Sequence, residues 1–172
     1  MNKKIRLCMD IIIAVVLVWF DQFTKKLAVS KLMNKPAFPI INGVLEFDYL
    51  ENRGVAFGML QGQKIFILLV GFVFIVGLLF FMLKMPEGKK FTVLHVILSA
   101  VIAGGIGNII DRVKLEYVID FISFVLIDFP IFNVADCYVV CGMIAMCFMI
   151  LFVFKEDDFD FMSFKKSKEK KG

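Results

Sequence analysis

Four long apolar segments constrain this chain more than any other feature. An α-helix needs about 20 mostly apolar residues to cross the hydrocarbon core of a bilayer. Segments of about that length cover residues 5–29, 65–83, 91–110 and 131–154. With 60% hydrophobic residues and a mean hydropathy of +0.84, the chain is also far more apolar than a soluble domain. We predict an all-α integral membrane protein with four transmembrane helices, in which residues 1–172 form a single membrane domain.

The positions of the basic residues predict an orientation. Most lysines and arginines flank the predicted spans on one side, namely Lys3, Lys4, Arg6, Lys84, Lys89, Lys90, Lys155, Lys165, Lys166, Lys168, Lys170 and Lys171. The positive-inside rule assigns that side to the cytoplasm. Both termini and the tail 155–172 are therefore predicted to be cytoplasmic, and loops 30–64 and 111–130 to face outward. This anchoring accounts for the net charge of +4, so no nucleic-acid partner is required.

The two outer loops are predicted to carry structure of their own. Pro36, Pro39 and the Asn42-Gly43 pair mark turns, and residues 44–50 alternate as a strand does. Two or three short strands on the outer membrane surface are the expected result. The second loop is short and rich in Phe and Ile, which predicts a piece that lies against the lipid or over a cleft.

Two aspartates in the last third of the chain are the main candidates for chemistry. Asp120 and Asp136 lie in an otherwise apolar stretch, where a charge is costly and therefore points to function. A turn near Pro130 can bring them together, and each would then raise the pKa of the other, so that one is protonated while its partner is ionised. Such a pair can activate water and polarise a carbonyl, as in aspartic hydrolases. The alternative is that Asp120 caps a helix or pairs with Arg112, while Asp136 is a satisfied polar residue of the bundle.

Further polar residues cluster at the outer end of the third span. Gly104, Asn108 and Asp111 follow one another at i, i+4 and i+7 and share one helix face, with Arg112 beside it. Polar groups at such a helix end need partners or water. For Gly104, with Ala103, Gly105 and Gly107 next to it in the sequence, close helix packing is the simpler interpretation.

Three other sets of polar residues have simpler interpretations. Asp21 and Lys25 are four apart and predict an ion pair that seats the first helix in the interface. Asn52 either points its amide into a cleft or forms a turn. Cys137 and Cys141 lack a second ligand pair nearby, so no metal site is predicted.

Five short blocks of the sequence closely resemble, in order and spacing, the signature blocks of bacterial lipoprotein signal peptidases, also called signal peptidase II. The blocks are DQFTK at 21–25, ENRGVAFG at 51–58, GGIGNIIDR at 104–112, VIDF at 118–121 and FNVAD at 132–136. Together the five blocks are highly specific, although each alone would be weak.

The resemblance implies an aspartic endopeptidase of the bacterial inner membrane that needs no cofactor or metal. Its active site would face outward. The enzyme would cut the signal peptide from a prolipoprotein just before a diacylglyceryl-modified cysteine. The implied partners are that lipid-modified precursor and membrane phospholipid, and a monomer would suffice.

The resemblance also implies roles for individual residues. By position, Asp120 and Asp136 match the catalytic pair of the family, and Asp21 and Lys25 match its first block. The supporting polar cleft would comprise Asn52, Gly104, Asn108, Arg112 and Asn133. The outer strands and residues 52–58 would form an extracytoplasmic β cradle, and the segment after Asp120 a short covering helix on the surface.

Two other classes of function are open from the residues alone. Carboxylates in membrane spans also serve as proton relays in transporters. Transport sites, however, usually lie near the bilayer midplane between structural repeats, whereas these polar groups cluster at the outer ends of spans and no repeat is visible. A non-enzymatic assembly subunit would leave the pair Asp120 and Asp136 without a specific role.

Overall fold

A computed structural model describes residues 2–54, 59–127 and 129–162 of the chain. Its helices and strands are α1 Lys3–Leu32, β1 Phe38–Ile41, β2 Leu45–Asn52, α2 Lys64–Lys84, α3 Lys89–Leu115, β3 Val118–Phe124 and α4 Val134–Phe152. Two 3-10 turns, Val125–Ile127 and Glu156–Met162, complete the order. Predictions for residues 55–58, Asp128 and the tail beyond Met162 lie outside the described residues.

The four-span architecture is confirmed. Each of the four helices is long and apolar enough to cross a membrane, and each contains the span predicted for it, apart from a few residues at the two ends of the fourth span. In α3, 50% of the most apolar 18-residue window is buried, against 6% to 17% in the other three helices. The third helix is therefore the central one, and the others present most of their apolar side chains to the surroundings, as expected of helices that face lipid.

Two apolar clusters hold the bundle together. The larger one joins α2, α3 and α4 with the last 3-10 turn, and its buried members are Met82, Met85, Phe91, Leu94, Leu98, Ile102, Met149 and Phe154. The smaller one lies beneath the sheet, where Ala28 of α1 packs against Ile119 and Phe121 of β3. The sheet is thus fixed to α1 by apolar contacts.

A three-stranded antiparallel sheet, in the order β1-β2-β3, stands at one end of the bundle. The first two strands lie where the alternating pattern predicts them. The third differs from expectation: after Asp120 the chain continues as a strand to Phe124, and the surface helix is only the 3-10 turn Val125–Ile127. The strand is buried on both faces except near its end, so it lacks the alternation that marks a half-buried strand in a sequence.

The opposite end of the bundle gathers the basic segments. The backbone N–H of Lys3 donates to Glu87 Oε1 at 3.1 Å, and Arg6 Nη2 donates to the Met85 carbonyl at 2.9 Å. Lys90, at the start of α3, forms an ion pair with Asp158. The N-terminus, the α2–α3 turn and the last 3-10 turn therefore lie together.

A buried polar cluster connects α1 to α3 near this end. Asp10 Oδ2 lies 2.7 Å from His95 Nδ1, and Ser99 Oγ donates to Asp10 Oδ1 at 3.2 Å. All three side chains are buried. His95, which had no role in the sequence analysis, therefore tethers two helices.

Candidate active site

Strand pairing brings Asn52 to Asp120. Leu50 of β2 lies opposite Asp120 of β3, so Asn52, two residues further along β2, is a diagonal neighbour on the same face of the sheet. Its Nδ2 donates to Asp120 Oδ2 at 2.8 Å, and its Oδ1 accepts from the Gly54 N–H at 3.0 Å. Asn52 therefore both begins a turn and points its amide at the carboxyl group.

A turn-back after β3 brings the start of α4 to the same place. The backbone groups of Ile122 and Phe132 exchange two hydrogen bonds, with N···O distances of 2.8 and 3.0 Å. This bridge sets the next residue, Asn133, beside β3, where its Nδ2 donates to Asp120 Oδ1 at 2.6 Å. Both oxygens of the Asp120 carboxyl group thus accept hydrogen bonds from asparagine amides.

Asp136 is held at the same point by the cap of α4. The Asn133 side chain accepts from the Asp136 N–H at 3.0 Å, and Asp136 Oδ2 accepts from the Asn133 N–H at 3.1 Å. This reciprocal arrangement is a capping box, which fixes both side chains in the first helical turn. Asn133 therefore contacts both aspartates, and both line one cleft.

Asn108 of α3 supports Asp136 from the other side. Its Nδ2 donates to Asp136 Oδ1 at 2.8 Å. Its Oδ1 accepts from Lys25 Nζ at 2.9 Å and from Asn133 Nδ2 at 3.2 Å. Among the described residues, the four hydrogen bonds that the carboxyl oxygens of Asp120 and Asp136 accept therefore all come from asparagines.

A buried ionic cluster lies behind Asn108. Lys25 forms ion pairs with Asp21 at 3.1 Å and with Asp111 at 2.8 Å, and none of these three side chains is more than 3% exposed. The predicted pair of Asp21 and Lys25 is thus present, but it lies inside the bundle and does not seat α1 in the interface. The contact between Lys25 and Asp111 was not predicted, because the two residues are remote in the sequence and meet only when α1 packs on α3.

Two further residues of this region differ from or add to the sequence-based assignments. Gln22 had no assigned role, yet its Nε2 donates to Asp111 Oδ1 at 2.8 Å; its place beside Asp21 was the available signal. Gly104, expected in the polar cleft, does not line it. A Cβ at Gly104 would overlap the Ala135 carbonyl oxygen, so this glycine allows α3 and α4 to pack closely.

Arg112 lines the cleft and holds the loop that follows β2. Its Nη2 donates to the Gly54 carbonyl at 2.7 Å, and its Nη1 donates to the Asn108 carbonyl at 3.3 Å. The guanidinium group therefore hydrogen-bonds to backbone oxygens, and Asp120 takes its hydrogen bonds from Asn52 and Asn133.

The cleft has a volume of about 980 Å³ and a largely apolar lining. Its polar side chains are the two aspartates with Asn52, Asn108 and Arg112, and in addition Glu51, Arg53 and Gln61. The remainder is largely apolar and includes Leu50, Ile67, Phe129, Ile131, Phe132, Val139 and Val140. Apolar walls with a few convergent polar groups are typical of a ligand site.

Burial makes the Asp120 carboxyl group a weaker acid than an ordinary aspartate, because it raises the pKa of that group. Removal from water, and secondly the nearby charge of Asp136, raise the pKa of Asp120 from 3.8 to about 6, against the opposing effect of the hydrogen bonds from Asn52 and Asn133. Desolvation and a like charge both disfavour the ionised carboxylate. Asp120 is therefore the member of the pair that retains a proton more readily than an ordinary aspartate.

Comparison with known proteins assigns the chain to a protein family. The family model described as Signal peptidase (SPase) II matches residues 13–152. The chain belongs to the signal peptidase II family. It is therefore a multi-pass membrane protein that hydrolyses peptide bonds.

Similar proteins agree along nearly the whole chain. The lipoprotein signal peptidase of Caldanaerobacter subterraneus subsp. tengcongensis is 41% identical over 84% of this chain and 97% of its own length. That of Clostridium tetani is 39% identical over 88% of this chain and 96% of its own. A solved bacterial membrane enzyme structure at 2.3 Å resolution superposes with a TM-score of 0.75 at 33% identity, covering 95% of this chain and 94% of the other.

Potential metal ligands are not clustered in the part of the chain that the structure describes. No group of three or more His, Cys, Asp or Glu side chains there is arranged to hold a metal ion. The carboxylates of the candidate site are already engaged by asparagine amides. The arrangement is suited to acid and base chemistry by the two carboxyl groups themselves.

Proposed function

We propose that this chain is an aspartic endopeptidase that removes the signal peptide from lipid-modified prolipoproteins, with Asp120 and Asp136 as its catalytic pair. The cut would fall on the N-terminal side of the lipidated cysteine. The observation that carries the proposal is the double role of Asn133, which hydrogen-bonds to Asp120 and caps the helix that presents Asp136. It joins the two carboxyl groups in one cleft.

The proposed reaction gives the two carboxyl groups different roles. Asp120, with its pKa raised to about 6, donates its proton to the oxygen of the scissile carbonyl, while ionised Asp136 takes a proton from water. The water oxygen then bonds to the carbonyl carbon and forms a tetrahedral diol. Asp136 passes its proton to the leaving nitrogen, the C–N bond breaks, and a diol hydroxyl returns a proton to Asp120.

The surroundings of the pair favour a lipid-anchored substrate. The cleft is open beside apolar side chains such as Val139 and Val140 of α4, and Val140 is 56% exposed on the helix surface. A lipidated segment can therefore keep its acyl chains in the bilayer while its backbone reaches the carboxyl groups. Low local dielectric strengthens the electrostatic interactions there.

We place the enzyme in the bacterial cytoplasmic membrane with both termini inside. The segments rich in lysine and arginine lie at the end of the bundle opposite the sheet, and the positive-inside rule then directs the sheet and the aspartates outward. The polar groups of the candidate site occur at the sheet end of the helices, whereas transport sites usually lie near the midplane, which favours this function over transport. One chain supplies every residue of the proposed site, so we propose a functional monomer.

The test is the processing of a diacylglyceryl-modified precursor peptide by purified protein in detergent. Asp120→Asn and Asp136→Asn should each lower kcat by at least about 10³-fold, because the reaction needs both carboxyl groups. Asp48→Asn is the matched control, since Asp48 lies on β2 outside the cleft. Near-normal cleavage by either active-site variant would refute the assignment, and a chelator should leave the wild-type rate unchanged.

A further inference from the structure

Lys25 is a buried cation that contacts Asn108, and Asn108 in turn contacts Asp136 of the proposed catalytic pair. Its Nζ is 2.8 Å from Asp111 Oδ2, 3.1 Å from Asp21 Oδ2 and 2.9 Å from Asn108 Oδ1. An ammonium group has three N–H donors and no acceptor. Each donor therefore has one oxygen partner, and the side chain is only 2% exposed.

These contacts decide which way the Asn108 amide points. Its oxygen must face Lys25, since a flipped amide would set its NH₂ group against an ammonium group that can only donate. Asn133 Nδ2 also donates to the same oxygen at 3.2 Å. The NH₂ group of Asn108 is thereby left to face Asp136 Oδ1, at 2.8 Å.

We propose that Lys25 is a positioning residue of the peptidase, which acts by holding the Asn108 amide in the orientation that donates to Asp136. This inference rests on the proposed function of the aspartyl pair. Lys25 does not line the cleft, so it acts through Asn108 without touching the substrate.

Lys25 also ties this amide to the rest of the bundle. It belongs to α1, Asn108 and Asp111 belong to α3, and Asp21 Oδ1 accepts from the Ala135 N–H of α4 at 3.1 Å. One ammonium group and its two carboxylates thus connect three helices at the level of the catalytic pair. The orientation of Asn108 is therefore set by the rigid part of the molecule, as a preorganised site requires.

A double-mutant cycle separates this role from a merely structural one. Lys25→Met and Asn108→Ala should each lower kcat about 100-fold with KM within about twofold, as for other lost transition-state hydrogen bonds. If Lys25 acts through Asn108, the double variant should be no more than about threefold slower than Asn108→Ala. The matched cycle pairs Lys25→Met with Asn52→Ala, which removes a donor to Asp120 and the acceptor of the Gly54 N–H but no contact of Asn108, and there the two effects should multiply.

The pH dependence of the rate gives a second measurement. Lys25→Met should move the kcat profile to higher pH, because the positive charge of Lys25 lowers the pKa of Asp120 in the wild type. A variant that was only less stable would show the wild-type profile at reduced amplitude. A wild-type profile in folded Lys25→Met, or multiplying effects of Lys25 and Asn108, would overturn the proposal.

Loss of Lys25 leaves two buried carboxylates without their cation, so Lys25→Met can fail to fold. The charge-balanced variant Lys25→Met/Asp111→Asn removes one of them and is tested in the same cycle. Failure of the wild type to cleave the lipidated precursor would refute the proposed function. Cleavage by the wild type together with wild-type kcat in a Lys25 variant would refute this inference alone.

Discussion

Asp120 is the residue at which burial and charge act together on one group. Its side chain is 1% exposed, and its carboxyl group faces Asp136 as well as two amides. A carboxyl group with a raised pKa binds its proton more tightly in the folded state than in the unfolded chain. The raised pKa that suits Asp120 to its proposed role as proton donor therefore also costs stability once the proton is lost.

The stability of the wild type should accordingly fall as the pH rises from about 4 to about 7, the range that contains both pKa values of Asp120. Above a pKa of about 6 in the folded state and 3.8 in the unfolded state, the cost is on the order of 3 kcal/mol. The apparent Tm in detergent should be highest near pH 4 and should decrease up to about pH 7. In Asp120→Asn the decrease should be smaller by this contribution, and an unchanged pH dependence in that variant would contradict the assigned pKa shift.

At the scale of elements, α3 and α4 are held at a distance that only small residues permit. A Cβ on Gly104 would overlap the Ala135 carbonyl oxygen and lie 2.8 Å from Val139 Cγ2. Ala135 directly precedes Asp136, so any displacement of α4 there moves one of the two proposed catalytic carboxyl groups. The packing of two helices thus sets the geometry of the pair.

Gly104→Ala should therefore lower kcat by about tenfold or more and destabilise the protein by about 1–3 kcal/mol through overpacking. Gly77→Ala is the matched control, because a Cβ at Gly77 of α2 would meet no atom within 4 Å and alanine is the better helix former. Peptidase assay and thermal unfolding in detergent measure both effects. Equal behaviour of the two variants would show that Gly104 does not limit the helix distance.

The elements also show which features a sequence can predict. The spans and the first two strands follow from local composition and alternation, and the turn-back to Asn133 follows from Pro130 in a short loop. Strand β3 does not, because its pairing with β2 joins residues far apart in the chain and its two buried faces remove the alternation. The i, i+4 pair of Asp21 and Lys25 was visible, but the contacts of Lys25 with Asn108 and Asp111 depend on helix packing.

At the scale of the whole molecule, polar side chains are buried at both ends of the bundle, for different purposes. Near the sheet, the buried groups line or support the candidate active site. At the other end, Asp10 contacts His95 and Ser99, while Arg6 donates to the Pro86 and Met85 carbonyls. None of these side chains lines the candidate cleft, so this second cluster contributes to the association of α1 with the other helices.

Removal of Asp10 should consequently separate stability from catalysis. Asp10→Ala leaves the buried His95 and Ser99 without their shared partner and should cost about 1–2 kcal/mol, the range measured for hydrogen bonds between membrane helices. Its kcat and KM, measured below the unfolding transition, should stay within about twofold of wild type. Cys8→Ala, at an exposed position of the same helix, should change neither quantity. A large fall in kcat for folded Asp10→Ala would mean that the two ends of the bundle are coupled, since the structure offers no direct contact between Asp10 and the cleft.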